Sequence, residues 1–78
     1  MSIAFVLINT APTREHIVYN KLLKEPEIIE LHPLFGEYDL IARIEAKNFE
    51  KIGEIVTKKI RAIKGVIDTK ANHCPYGE

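Results

Sequence analysis

The sequence predicts an α+β domain of the ferredoxin-like βαββαβ type, with a four-stranded antiparallel sheet and two helices on one face. A short apolar run at the start indicates a strand that is buried on both faces. Two later segments carry apolar residues at helical spacing, and the remaining segments alternate with the two-residue period of strands. Because 78 residues suffice for one small domain, we expect a single unit over residues 1–78.

The first strand and the first helix are the clearest local predictions. Residues Ile3–Ile8 form the strand, with Ile3, Phe5 and Leu7 on one face and with Ala4, Val6 and Ile8 on the other. Thr13 is the expected N-cap of the helix that follows, and Pro26 is expected to end it. The apolar stripe of this helix is built on Val18 and Leu22.

Two strands then follow so closely that they must form an antiparallel hairpin. The first runs from Glu27 to Phe35, and Pro33 makes it an edge strand or a bulged one, since proline has no N–H to donate. Gly36-Glu37 is the expected tight connection. The second strand runs from Tyr38 to Glu45, with one apolar face made of Leu40, Ala42 and Ile44.

The last part of the chain predicts a helix and a final strand. Asn48 is the expected N-cap, Gly65 the expected C-cap, and the helix between them has about four turns. Its apolar stripe is Phe49, Ile52, Val56, Ile60 and Ile63. Val66–Ala71 is the final strand, and we expect His73–Glu78 to be a loose tail because it has no periodicity.

This order of elements implies that the sheet needs a partner. Right-handed crossovers place the first and third strands in the centre, with both helices on one side. The other side would then expose Phe5 and Leu7 to water. Since most homo-oligomers have closed symmetry, a second identical sheet is the simplest cover, and we expect a homodimer.

Composition excludes several classes of protein. Eleven Lys and Arg residues balance eleven Asp and Glu residues, so the chain has no basic excess for binding nucleic acid by charge alone. No apolar run approaches the ~20 residues that span a bilayer, and the first residues lack the features of a signal peptide. A single cysteine, Cys74, cannot form an internal disulfide, so we expect a cytoplasmic protein.

No motif indicates a catalytic residue, a cofactor or a metal ion. The spacing of His16, His32 and His73 matches no metal site, and Cys74 has no evident base to activate it. Residues 9–14 lack the glycines of an acylphosphatase loop. Glu37 and Asp39 lie two apart around the hairpin, so they serve either turn formation or recognition of an amine.

Two motifs resemble the effector-binding domain of the leucine-responsive (Lrp/AsnC) transcription regulators. The hairpin residues Leu34–Ile41 resemble the family's G-x-[aromatic]-D signature. Residues Ile63–Thr69 are similar to its P-G-V-x-x-T entry into the last strand, with Lys64 in place of the proline. The resemblance runs from Ile3 to about Ala71. No helix-turn-helix precedes the first strand, so we expect a stand-alone effector (RAM) domain that does not contact DNA directly.

The resemblance implies a function and a site. Family members dimerise through their sheets, assemble into rings such as octamers, and bind amino-acid effectors near this hairpin. Gly36 would let the backbone approach the effector, and Asp39 or Glu37 would pair with its ammonium group. The ligand-binding residues implied are Leu34, Phe35, Gly36, Glu37, Tyr38, Asp39 and Thr69.

The resulting hypothesis is a non-enzymatic amino-acid-binding domain that modulates transcription through assembly with itself or with full-length relatives. One alternative is a small enzyme of the dimeric α/β-barrel type, which would need a void between paired sheets and His32 turned into it. The other alternative is a purely structural assembly module, whose assembly no metabolite would change.

Overall fold

A computed structural model describes the backbone of residues 1–74 and the side chains of residues 1–72. The order of elements is βαββαβ, which confirms the predicted fold. The elements are β1 (Ser2–Thr10), α1 (Glu15–Leu22), β2 (Ile28–Pro33), β3 (Leu40–Ala46), α2 (Phe49–Ile55) and β4 (Val66–Cys74). After its seven α-helical residues, α2 continues directly as a π-helical segment over Val56–Ile60.

The four strands form one antiparallel sheet in the order β2-β3-β1-β4. The first and third strands are therefore central, as the crossover rule predicts. In the middle of the sheet Val6 pairs with Ala42 on one side and with Ala71 on the other. β2 is one of the two edge strands, as Pro33 predicts, and it also contains a bulge between Ile28 and Glu30.

The hydrophobic core lies between the sheet and the two helices. Val6 of β1 and Val18 of α1 have no exposed surface, and Ile52 of α2 has 2%. These side chains join one apolar cluster, which confirms the predicted inner face of the first strand. Alternate β1 residues point away from the helices, and Phe5 on that opposite face remains 40% exposed. No helix among residues 1–74 is long and apolar enough to cross a membrane.

The first helix begins later than predicted. Thr13 has a φ of 70° and lies in the turn before α1, so it does not adopt the extended conformation of an N-cap residue. Arg14 takes the N-cap position without a side-chain hydrogen bond to the helix. The helix also ends at Leu22, four positions before Pro26, so the proline does not itself terminate it.

The second helix has the predicted N-cap but a different end. The Asn48 side chain accepts a hydrogen bond from the Lys51 backbone N–H at 2.9 Å, which confirms the capping prediction. Further on, the Arg61 N–H donates to the Val56 carbonyl at 2.8 Å, five residues earlier. This wider π-helical turn ends the helix at Ile60, so Gly65 is not its C-cap. Gly65 instead has a φ of 112° in the turn before β4.

The hairpin and the last strand also differ from their predicted bounds. The connection between β2 and β3 is the six residues Leu34–Asp39, longer than the predicted two-residue turn. Phe35 does not continue the strand and is fully exposed. β4 extends through Cys74 because its backbone pairs with β1 as far as Ile3. The expectation of a loose tail is therefore wrong for residues 73–74, and residues 75–78 lie outside the described part of the chain.

Candidate ligand-binding site

The loop between β2 and β3, residues Leu34–Asp39, is fixed at its base by backbone hydrogen bonds. The Leu34 N–H donates to the Asp39 carbonyl at 2.8 Å, which closes the loop. The Asp39 N–H donates to the Ile8 carbonyl of β1 at 2.9 Å, which ties the loop to the central strand. Gly36 has a φ of 131°, a conformation that favours glycine. The loop therefore has a defined path that its sequence specifies.

The Asp39 carboxylate adds a side-chain link to the end of β1. Its Oδ2 atom accepts hydrogen bonds from the Thr10 backbone N–H at 2.8 Å and from the Thr10 hydroxyl at 3.2 Å. Its Oδ1 atom has no donor among the described residues. One oxygen therefore holds the loop in place, and the other is available to a ligand. Asp39→Ala would remove both, so it would not leave the fold untouched.

A cleft of about 450 Å³ lies between this loop and α1. This volume is within the usual range for small-molecule sites. Its walls combine apolar residues with two carboxylates, one histidine and one tyrosine. The lining residues are Glu15, His16, Tyr19, Pro33, Leu34, Phe35, Gly36, Asp39 and Leu40.

The predicted site residues divide into three groups. Leu34, Phe35, Gly36 and Asp39 line the cleft. Glu37 and Tyr38 belong to the same loop but are not part of the cleft lining. Thr69 lies on β4 opposite Ile8, so the width of β1 separates it from β3 and from the loop.

Sequence reasoning missed the half of the cleft that α1 supplies. Glu15, His16 and Tyr19 lie within one helical turn and share a face. The sequence shows that these three residues share a face of the helix. It does not show that this face meets the β2–β3 loop, because that depends on how the chain crosses from β1 through α1 to β2. Thr10 was missed as well, because its partner Asp39 lies 29 positions away in the sequence.

A second group of polar residues lies on the sheet face opposite the helices. Arg43 bridges Glu30 at 2.7 Å and Glu45 at 2.6 Å, and the His32 Nε2 lies 3.2 Å from the other oxygen of Glu30. The hydrogen bond from Arg43 lowers the pKa of Glu30, and the same bond raises the pKa of Arg43. The hollow beside these residues and Phe5 is only about 50 Å³.

His32 therefore lies on the face where a dimeric α/β-barrel enzyme would place its cavity, but the hollow there is far smaller than the roughly 300–1,000 Å³ of a usual ligand site. Among residues 1–72, whose side chains the structure describes, no three His, Cys, Asp or Glu residues come together in a way that could hold a metal ion. The loop cleft is thus the best-formed site near the predicted residues.

Comparison with known proteins agrees with the resemblance in the sequence. The family model for the Lrp/AsnC ligand binding domain matches residues 3–74. A relative from Pyrococcus furiosus, described as an uncharacterized HTH-type transcriptional regulator, is 39% identical over 69 residues. That match covers 85% of this chain and 46% of the relative. The chain thus spans about half the length of the curated regulators that it matches.

Solved structures extend the agreement to the fold. The crystal structure of FFRP-DM1 superposes with a TM-score of 0.91 at 35% identity, covering 95% of this chain and 99% of that one. A hypothetical protein from Pyrococcus horikoshii gives a TM-score of 0.88 at 35% identity, covering 95% and 89%. Escherichia coli AsnC, at 16% identity, shares the fold with a TM-score of 0.89 over 95% of this chain and 50% of its own. The chain belongs to the Lrp/AsnC ligand-binding domain family.

Proposed function

We propose that this chain is an oligomeric amino-acid-binding domain that modulates transcription through assembly with itself or with full-length relatives. The observation that carries the proposal is the loop cleft, a hollow of about 450 Å³ beside the Oδ1 atom of Asp39, which has no donor in the part of the chain that the structure describes. Its curated relatives are transcriptional regulators, which supports a regulatory role and no catalysis. A single cysteine suits the cytoplasm in which such regulators work.

The cleft offers complementary groups for each part of an amino acid. Asp39 Oδ1 would accept a hydrogen bond from the α-ammonium group, because a carboxylate and an ammonium form a charge-assisted pair. Backbone N–H groups near Gly36 would hold the carboxylate, since turns of this kind form anion-binding concavities. The side chain would pack against Leu34, Phe35 and Tyr19, which provide the apolar walls.

Three predicted residues enter this proposal only through assembly. Glu37 and Tyr38 lie on the loop outside the cleft, where a neighbouring subunit would close over the effector. Thr69 lies beyond β1, so only a contact with another subunit would bring it to a bound ligand. An effector would then favour the assembled state over the dissociated one. The shift in this equilibrium would equal the difference in the free energy of effector binding to the two states.

The sheet face opposite the helices is the proposed dimer contact. Phe5 is 40% exposed on this face, with Leu7 and Ile41 paired beside it. The charge of Arg43 is already matched within the same chain by Glu30 and Glu45. A second copy could therefore cover the face without leaving that guanidinium unpaired, which burial would penalise heavily.

Thermal unfolding combined with light scattering tests the effector. We expect one or a few of the common amino acids to raise the melting temperature. At a hundred times its dissociation constant, a ligand of the folded state adds about 2.7 kcal/mol to stability. In Asp39→Asn the amide oxygen can still accept from Thr10, but the charge facing the ammonium is lost, so the shift should shrink. Glu37→Gln makes the same charge change outside the cleft.

An oligomer that responds to no amino acid would contradict amino-acid sensing and favour the structural assembly module. Equal shifts in the wild type and Asp39→Asn would refute the role of Asp39 in holding the ammonium. A larger loss in Glu37→Gln than in Asp39→Asn would move the site from the cleft to the outer side of the loop.

A further inference from the structure

A second cleft, of about 390 Å³, lies beside α2 and shares no lining residue with the loop cleft. Ala46 and Ile55 give it an apolar floor, and the remaining lining residues are charged. It is bordered by the end of β3, by α2 and its π-helical continuation, and by the segment before β2. The charged lining residues are Glu27, Lys47, Lys51, Glu54, Lys58 and Lys59.

The lining of this cleft has a local excess of positive charge, although the whole chain has a formal net charge of zero. Lys59 pairs with Glu27 at 2.7 Å, and Lys51 pairs with Glu54 at 3.0 Å. These two pairs account for both carboxylates of the lining. Lys47 and Lys58 have no carboxylate within salt-bridge distance among the described residues. Lys59 has a second carboxylate partner in Glu25 at 3.5 Å, and Lys58 interacts with the charge of Glu54 at longer range. Among the described residues, Lys47 and Lys58 are thus the two ammonium groups of the cleft that lack a salt bridge and can contact an external anion.

The local backbone is unusual in the same place. Lys58 and Lys59 both lie on the π-helical segment, where the helix widens to the five-residue hydrogen bond between Arg61 and Val56. Such π-helical turns are rare and are often found at functional sites. Gathering like charges also raises the energy of the folded state, unless a counter-charge offsets it. Both facts suit a binding site better than an ordinary solvated helix face.

The Glu27 carboxylate adds a second requirement. Its Oε2 atom accepts from Lys59, whereas its Oε1 atom is buried and has no hydrogen-bond donor among the residues that the structure describes. The hydrogen bond from Lys59 lowers the pKa of Glu27, so this carboxyl group is ionised at neutral pH. A buried carboxylate oxygen without a donor is costly. A ligand hydroxyl group would supply the missing donor, because an ionised carboxylate can only accept.

We propose that this cleft binds a small phosphate ester that also carries hydroxyl groups. Lys47 and Lys58 would contact the phosphate, since lysine ammonium groups bind phosphate as point charges. A hydroxyl group of the same molecule would donate to Glu27 Oε1. The cleft has a volume of about 390 Å³, within the usual range for small-molecule sites, which favours a small molecule over a nucleic acid. This site is separate from the proposed amino-acid site and does not depend on it.

Isothermal titration calorimetry with glycerol 3-phosphate, at constant ionic strength, tests the proposal. Glycerol and citrate are the companion ligands. Glycerol tests whether hydroxyl groups alone suffice for binding, and citrate tests whether negative charge without a phosphate group suffices. We expect saturable binding of glycerol 3-phosphate and at least about tenfold weaker binding in K47M/K58M, since each substitution removes a contact to a charged group. The matched control is K21M/K24M, two exposed lysines at the end of α1.

Glu27→Gln tests the hydroxyl contact separately. It should reduce the preference for glycerol 3-phosphate over inorganic phosphate, because the amide is a poorer acceptor and can itself donate. Asp39→Asn in the loop cleft should leave glycerol 3-phosphate binding unchanged. A failure of this proposal is thereby distinguished from a failure of the proposed amino-acid site.

Three results would overturn the proposal. The first is no saturable binding of glycerol 3-phosphate by the wild type. The second is an equal loss of affinity in K47M/K58M and in K21M/K24M, which would indicate general charge attraction. The third is tighter binding of citrate or of duplex DNA through the same lysines, which would assign the cleft to a different class of ligand. Melting temperatures of all variants would establish that each one is folded.

Discussion

At the scale of single residues, the two clefts share one feature. Each contains a carboxylate with one oxygen in hydrogen bonds within the fold and the other without a donor among the described residues. Asp39 uses Oδ2 to hold Thr10, and Glu27 uses Oε2 to hold Lys59. In both cases the protein fixes the direction of the side chain through the first oxygen. The second oxygen is then positioned without further ordering, which lowers the entropic cost of binding a ligand.

The ion pair of Glu27 predicts a dependence of stability on pH. Lys59 lowers the pKa of Glu27 in the folded state from its usual value of 4.5. As the pH falls, the Glu27 carboxylate is therefore protonated first in the unfolded chain. The ion pair stabilises the folded state fully above pH 4.5, and this stabilisation is lost as the pH falls through the folded-state pKa of Glu27. Glu27→Gln should lower the free energy of unfolding at pH 7 by up to about 1 kcal/mol.

The difference in the free energy of unfolding between Glu27→Gln and the wild type should narrow below the folded-state pKa of Glu27. At such pH values the wild-type carboxyl group is also neutral. Urea unfolding across a pH series measures it. Glu37→Gln is the control, because Glu37 forms no ion pair among the described residues. A gap for Glu27→Gln that stays constant from pH 7 down to pH 3 would contradict this role for the ion pair.

At the scale of elements, the turn before β4 contains a glycine that is needed for two reasons. Gly65 has a φ of 112°, and a Cβ atom there would lie 3.0 Å from the Arg14 Cβ and 3.1 Å from a Val18 methyl group. Gly36 has a φ of 131°, but a Cβ atom there would meet nothing within 4 Å. A substitution at Gly36 therefore causes backbone strain alone, whereas one at Gly65 causes both backbone strain and steric overlap.

Gly36→Ala should cost about 1–3 kcal/mol, the usual strain of such a backbone conformation. Gly65→Ala should cost about 1–3 kcal/mol more, because the new methyl group also overpacks the start of α1. Denaturant unfolding of the two variants measures the difference. Equal losses would show that α1 moves aside freely, and would contradict tight packing between this turn and α1.

The order of the elements was predictable because each one carries its own hydrophobic period. Val18 and Leu22 mark the inner face of α1, and Ala4, Val6 and Ile8 mark that of β1, from sequence alone. Their ends were less predictable. Thr13 has the right side chain for an N-cap, but its positive φ arises from the path of the chain between β1 and α1.

The candidate site was predictable only in part for a similar reason. The loop residues from Leu34 to Asp39 form a local motif that the sequence displays directly. Glu15, His16 and Tyr19 become part of the cleft because α1 packs over the loop, which is a long-range consequence of the fold. The π-helical turn at Val56–Ile60 has no sequence signal, since its residues fit an ordinary helix equally well.

At the scale of the whole molecule, the helices cover only one face of the sheet, and the other face carries apolar side chains among charged ones. On the other face Phe5, Leu7 and Ile41 lie beside the Arg43 charge network. A domain of this size buries only ~60% of the surface of its unfolded chain, so covering this face would add substantially to its stability. The apolar side chains beside the internally paired charge of Arg43 support the proposed contact with a second copy.

Leu7→Lys tests that contact. The side chain is half-buried in the centre of the open face, next to Ile41 on β3 and Lys70 on β4. A lysine there would place an unpaired charge in the proposed interface and add to the charge of Lys70, so we expect the mass measured by light scattering to fall. Leu23→Lys makes the same change at a position that is 55% exposed after α1, and it should leave the mass unchanged.

If Leu7→Lys keeps the wild-type mass while remaining folded, this face is not the interface, and assembly must use the helical side or the strand edges. If both variants dissociate, the loss reflects added charge in general and the sheet-to-sheet contact is likewise refuted.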